Sequence, residues 1–154
     1  MPDTQKIDSL DRKLLAKLRG DARRPLLEIS KELKVAHGTV NTRFRKMQAS
    51  GLIRGARLEF DYLKLGFGLT ALIGITVSQA GQHKSVIQHL HKMPEVLEAH
   101  YTTGQYSLLI KVLLKDIADL HGFLSEKLQT ISGVHSTETF LVLDTPIERQ
   151  VELR

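Results

Sequence analysis

The sequence predicts an α+β chain. It has an N-terminal three-helix helix-turn-helix domain over residues 1–53, a strand or linker over 54–66, and a ferredoxin-like βαββαβ domain over 67–154. Three observations predict it. Residues 26–51 hold two short amphipathic segments joined by a tight turn. From residue 69 onward, apolar runs of period two alternate with runs of period 3.6. Finally, residues 1–60 carry 14 basic and 7 acidic side chains, whereas residues 61–154 carry 8 and 10. The whole of the net charge of +5 therefore lies in the helical half.

Taken in order, the first helix is expected from Ser9 to about Arg19, with Leu10, Leu14 and Leu18 as its buried stripe. Asp8 is placed to cap it and Asp11 to meet the positive end of its dipole. The second helix starts near Pro25, a residue suited to a first helical position. Ile29, Leu33 and Val35 form its inner face and the following turn. Ser30 is small enough to let the two helices approach closely. The third helix runs from His37 to Ala49, with Val40, Phe44 and Met47 inward at i, i+4, i+7 and Gly51 ending it. Leu52 and Ile53 then pack back, and Arg57-Leu58-Glu59-Phe60 alternates like a short strand.

In the second half, Leu69, Ala71, Ile73, Ile75 and Val77 line one face of a strand. Residues 84–92 fit a helix with Val86, Ile87 and Leu90 inward, ended by Pro94. Residues 96–103 and 107–115 read as strands around the turn Gly104-Gln105-Tyr106. Asp116 can cap a helix reaching about Thr130, with Ile117, Leu120, Leu124 and Leu128 along one stripe. Residues 134–143 form the last strand. The β-α-β-β-α-β order gives a sheet with both helices on one face. The other face is left bare and is expected to carry large apolar residues from strands such as 107–115. A bare apolar face is a partner surface, and a second copy is the simplest partner.

Composition narrows the function. Apolar content of 42% and charged content of 25% are those of a globular protein. With no cysteine, disulfides, thiolate metal sites and cysteine nucleophiles are excluded. No apolar run approaches the roughly 20 residues of a membrane span. The start, Met-Pro-Asp-Thr-Gln-Lys, has no apolar signal core, so a cytoplasmic protein without a membrane partner is expected. Of the seven histidines, the six at 83, 89, 91, 100, 121 and 135 include no i, i+4 pair, so neither metal nor cofactor is expected. No catalytic triad or paired-carboxylate spacing points to an enzyme.

A local basic surface on a helix-turn-helix suits duplex DNA, because phosphate contacts release counterions and the second helix of the motif enters the major groove. The face of the third helix turned away from the core carries His37, Thr39, Asn41, Thr42, Arg45 and Lys46. Arg43 joins this set as a phosphate or base contact, or else forms an ion pair inside the three-helix unit. Lys111 and Glu138, on neighbouring strands, are expected to pair.

Several segments together resemble the Lrp/AsnC (feast/famine) family of bacterial regulators over essentially the full length. They are Ile7-Asp8-Ser9-Leu10-Asp11-Arg12, Arg43-Phe44-Arg45-Lys46-Met47, Gly51-Leu52-Ile53-Arg54-Gly55-Ala56-Arg57, Tyr101-Thr102-Thr103-Gly104-Gln105-Tyr106-Ser107 and Ser136-Thr137-Glu138-Thr139. The Thr-Thr-Gly-x-Tyr-Ser segment, Gln129-Thr130-Ile131 and the Ser-Thr-Glu-Thr segment look most like the AsnC branch. The resemblance implies a DNA-binding domain joined to an amino-acid-sensing and oligomerisation domain. It further implies dimers formed through the sheet that assemble into octamers, a small amino acid as effector, asparagine before others, and no catalysis.

The candidate effector residues are Tyr101, Thr103, Gly104, Gln105, Tyr106 and Ser107, with Gln129 and Thr130 at the end of the last helix. Backbone groups of a glycine turn can meet both the carboxylate and the ammonium of a free amino acid, and Gln105 offers an amide. The alternative for this segment is an ordinary hairpin turn with a core tyrosine. The alternative for the whole chain is a DNA-architectural protein of the same fold without a ligand. Three positions depart from the family's habit. Ser107 stands where many members have Asp. Lys34 stands where the turn of the motif often has Gly, at a cost of roughly 1 kcal/mol and with an altered turn as one outcome. Ala36 stands where Ser often precedes the recognition helix, so that cap is missing or supplied elsewhere.

Overall fold

The computed structural model describes residues 6–79 and 81–152. The chain divides into two compact units, one spanning Met1–Glu59 and Ile147–Arg154, the other Phe60–Pro146. Residues 147–152 thus group with the helical unit, whereas the sequence places them with the sheet.

In the first unit, α1 (Ser9–Gly20), α2 (Leu26–Glu32) and α3 (His37–Ala49) enclose Leu14, Ile29, Val40 and Met47, all buried. Leu18, Leu33, Val35, Phe44 and Ile53 pack around them, but Leu52 stays exposed. Asp8 caps α1 by accepting from the Leu10 and Asp11 amides at 2.9 Å each. Asp11 returns the bond to the Asp8 amide, which closes a capping box. Pro25 is the N-cap of α2, one position earlier than the sequence suggests. Ser30 is buried and its hydroxyl donates to the Leu27 carbonyl at 2.7 Å. Lys34 adopts φ 54°, so the turn keeps the left-handed conformation with a lysine in place of glycine. The Val35 amide donates to the Ser30 carbonyl across that turn at 3.0 Å. Gly51, at φ 75°, follows the end of α3. Residues 57–60 do not form a strand: they are unpaired and exposed, since alternation alone supplies no partner for their backbone groups.

The second unit holds β1 (Leu69–Val77), α4 (His83–Leu90), β2 (Val96–Tyr101), β3 (Leu108–Leu114), α5 (Ile117–Gly122) and β4 (Val134–Leu141). The sheet is antiparallel in the order β2-β3-β1-β4, the ferredoxin-like arrangement. One face, Ala71, Ile73 and Ile75 with Leu108, Ile110, Val112 and Leu114, packs on Val86, Leu90, Leu120, Phe123 and Leu128. After α5 the chain continues as a π-helical turn, Phe123–Leu128. There the Gln129 amide reaches back five residues to the Leu124 carbonyl at 2.9 Å. Leu120 and Leu128 are buried as expected, and the wider turn brings Phe123, five positions before Leu128, onto the same side; Ile117, at the start of α5, is left 58% exposed.

The opposite face of the sheet is mixed rather than broadly apolar. Leu72, Leu109 and Leu113 occupy its middle, with Phe140 opposite Leu72 on β4. Lys111 pairs with Glu98 at 3.8 Å, and Glu98 also meets His100 at 3.1 Å. The expected Lys111–Glu138 pair is absent. Lys111 faces β2 through Glu98, and Glu138 is engaged by Tyr106.

Candidate nucleic-acid interface and effector site

In α3 the apolar positions 40, 44 and 47 fall on one side, and the remaining side is polar. His37, Thr39, Thr42, Arg45 and Lys46 are exposed and Asn41 is half-buried. Arg45 and Lys46 make no ion pair among the described residues. Arg43 differs. Its Nη1 lies 2.5 Å from Asp8 Oδ2 and 2.9 Å from Asp11 Oδ1, so its charge is engaged inside the unit. Of the two roles open to Arg43, the ion pair is the one formed. It ties the middle of α3 to the capped start of α1.

The bonds are mutual. The Asp11 amide, then the Arg43 guanidinium, holds the Asp8 carboxyl below the ordinary value of 3.8, and the two carboxylates push the Arg43 pKa up, Asp11 first. The sequence alone gives Asp8 as a helix cap and Asp11 as a partner of the helix dipole. The i, i+3 carboxylates facing a basic helix were the signal for this second role. Lys17 and Arg24 likewise meet Glu32, Lys17 at 2.8 Å, and Lys17 is the first cause that lowers the Glu32 pKa. Ala36 caps α3 with no side-chain bond.

The candidate turn, from Tyr101 to Ser107, stands at the end of the sheet where β2 ends, β3 and β4 begin and β1 finishes. The turn between β2 and β3 is braced at both feet. The Thr102 amide donates to the Ser107 carbonyl at 3.1 Å, and the Thr102 hydroxyl donates to the Tyr106 carbonyl. The Val77 amide donates to Ser107 Oγ at 3.4 Å. Between these feet Thr103, Gly104 and Gln105 are exposed. Gly104 has no atom within 4 Å of where a Cβ would stand, and its φ lies outside the left-handed range. Neither packing nor backbone conformation therefore requires glycine there. Tyr101 is 64% exposed and stacks on His83 of α4, ring centroids 4.5 Å apart.

Tyr106 is no core tyrosine. Its ring lies over Gly74 of β1, where a Cβ would come within 2.5 Å of it. Its hydroxyl donates to the Glu138 carboxylate on β4, and Phe140 meets the ring edge-on at 6.3 Å. That bond to Glu138, with desolvation, raises the Tyr106 pKa. Gln129 lines a pocket of about 240 Å³ with Val134, His135, Ser136 and Thr137. Thr130 turns its hydroxyl inward to the Lys127 carbonyl at 2.8 Å. The sequence gives no sign that His135, Ser136 and Thr137 line a depression with Gln129, because that depends on where the start of β4 meets the helix end.

Two family models match the chain: an AsnC-type helix-turn-helix domain over residues 7–48 and an Lrp/AsnC ligand-binding domain over residues 70–152. The chain belongs to the Lrp/AsnC family. It is 42% identical to the regulatory protein AsnC of Haemophilus influenzae over 95% of this chain and 97% of that one. Its identity to the AsnC of Escherichia coli K12 is 41%, over 95% and 96%. The solved structure of E. coli AsnC superposes with a TM-score of 0.92 at 40% identity, covering 96% of this chain and 99% of that one. A transcriptional regulator of Neisseria meningitidis, solved as a complex with L-Met, shares the fold with a TM-score of 0.88 at 22% identity, covering 97% of each. The Lrp/AsnC chain described here is thus a transcription regulator and not an enzyme. It has a helix-turn-helix for DNA and a domain for a small-molecule effector. Among the described residues, no helix is long and apolar enough to cross a membrane.

Proposed function

We propose that this regulator reads operator DNA with the outer face of α3 and that a small polar amino acid, asparagine first, changes its DNA affinity or assembly. His37, Thr39, Asn41, Thr42, Arg45 and Lys46 are the reading set, and Arg43 holds the helix in place. The effector binds at the turn of Tyr101, Thr103, Gly104, Gln105, Tyr106 and Ser107, with Gln129 and Thr130 at the neighbouring helix end. The observation that carries this is the turn itself. Its feet are fixed by Thr102 and Ser107, yet its middle is open and holds a glycine that the fold does not need. A preformed site with free backbone groups binds without an ordering cost.

Gln129 also lines a depression of about 240 Å³, below the roughly 300–1,000 Å³ of drug-sized ligand sites. A protein of the same fold carries L-Met in its solved complex. The AsnC relatives and the Gln105 amide favour a side-chain amide here. Copies associate through the sheet face of Leu72, Leu109, Leu113 and Phe140, and dimers assemble further, to an octamer. The protein works in the cytoplasm and needs no cofactor.

Calorimetric titration of the full chain with asparagine, glutamine and aspartate tests the site. Heat with asparagine, lost in Gly104→Val while DNA binding persists, is the expected result. A Cβ at Gly104 meets nothing within 4 Å, so the added side chain starts in open space. No heat with any of the three ligands overturns the assignment and leaves the ligand-independent architectural reading.

A further inference from the structure

We infer that Gly38 is a specificity-determining position of the DNA-reading surface, a notch at which the groove wall touches the backbone of α3 directly. The inference rests on the DNA-binding reading above. Gly38 is the second residue of a 13-residue helix. Glycine in a helix is costlier than alanine, because its backbone loses more freedom on folding. Two internal reasons can justify that cost, and both are missing. The φ of Gly38 lies outside the left-handed range, and an ideal Cβ there meets nothing within 4 Å. Neither conformation nor packing calls for glycine.

Its place on the helix supplies the remaining reason. At 100° per residue, Gly38 lies about 120–180° around the helix from Val40, Phe44 and Met47. Those three face the core, two of them fully buried. Gly38 is therefore on the outermost line of the recognition helix, and Thr42 and Arg45 share that line at i+4 and i+7. Both are exposed. A helix lying in the major groove brings this line deepest, where base edges stand. A missing Cβ there allows closer approach, so the neighbouring His37, Thr39 and Thr42 reach further. Gly20 and Gly122 also have open space, but they stand at the end of α1 and at the junction of α5 with the π-helical turn. Among the described residues, Gly38 alone of these three stands away from the C-terminal end of its helix.

The test separates stability from recognition. The wild-type chain first selects duplexes from a random pool. Gly38→Ala and Gly38→Ser are then compared with wild type for thermal midpoint and for affinity toward the selected duplex and a random-sequence duplex. The expected result for Gly38→Ala is an unchanged or higher midpoint, at least a ten-fold loss on the selected duplex and less than a two-fold loss on the random one. Wild-type affinity of both variants for the selected duplex overturns the inference, as does an equal loss on the two duplexes. Failure of the wild type to select any duplex sinks the DNA-binding reading itself.

Discussion

Substituting Gly74 by alanine tests how the open face of the sheet is built around the turn. The new Cβ would stand 2.5 Å from Tyr106 Cγ and 2.6 Å from both Cδ atoms. Contacts under 3 Å cannot persist, and the neighbour is a rigid ring rather than a flexible chain end. The ring must leave Gly74, and with it go the bond to Glu138 and the edge contact with Phe140. Overpacking of this kind costs about 1–3 kcal/mol. Against it stands the gain of roughly 0.5–1 kcal/mol for alanine over glycine inside a strand. Tyr106 is half-buried, so it can swing outward and relieve part of the clash. The balance is a net loss of up to about 2 kcal/mol. Urea unfolding followed by circular dichroism measures this as a lower midpoint at unchanged slope. In the Tyr106→Ala background the added methyl meets no ring, so Gly74→Ala should then be neutral or stabilising. The two substitutions must couple. Equal effects of Gly74→Ala with and without the tyrosine would refute the reasoning.

Other consequences are open to measurement. Lys34→Gly relieves the left-handed lysine at φ 54° and should raise stability by about 0.5–1 kcal/mol, while Lys34→Val should lower it. The Asp8 carboxyl is held below its ordinary 3.8, so its contribution is present above that pH and is lost as pH falls through its lower folded value. Asp8→Ala should lower the melting midpoint near neutral pH and flatten its acid decline below about pH 4. An acid limb identical to wild type would count against the Arg43 tie. Arg45→Ala or Asn41→Ala should weaken binding to a selected duplex by roughly 1–3 kcal/mol without changing the melting midpoint, and titrations at wild-type affinity would displace both from the interface.

The limits of sequence reading were physical. Periodicity located α3 and the strands within a residue or two, because their apolar spacing is set by the element itself. The same rule missed Phe123, which a π-helical turn brings onto the buried side with Leu128, and such a turn leaves no compositional mark. Residues 57–60 alternate like a strand but lack a neighbour, and pairing is not a property of one segment. The candidate turn was legible from Gly104 and its polar flanks. The perch of Tyr106 on Gly74 was not, because it joins residues 32 positions apart that meet only once the sheet is assembled. Arg43 was readable in kind, as a base contact or an ion pair, and geometry decided between them by bringing Asp8 and Asp11 to one nitrogen.

The central claim is that an amino acid held by the sheet domain changes what the helix-turn-helix does. Fluorescence anisotropy of a selected duplex, titrated with the protein in the absence and presence of saturating asparagine, tests it most directly. Linkage requires that any such shift reflect a difference in effector affinity between free and DNA-bound protein, and a ten-fold change in Kd corresponds to about 1.4 kcal/mol of coupling. The expected result is a Kd that moves several-fold with asparagine in the wild type and stays fixed in Gly104→Val. A Kd unmoved by asparagine, or by any of the other common amino acids, would contradict it.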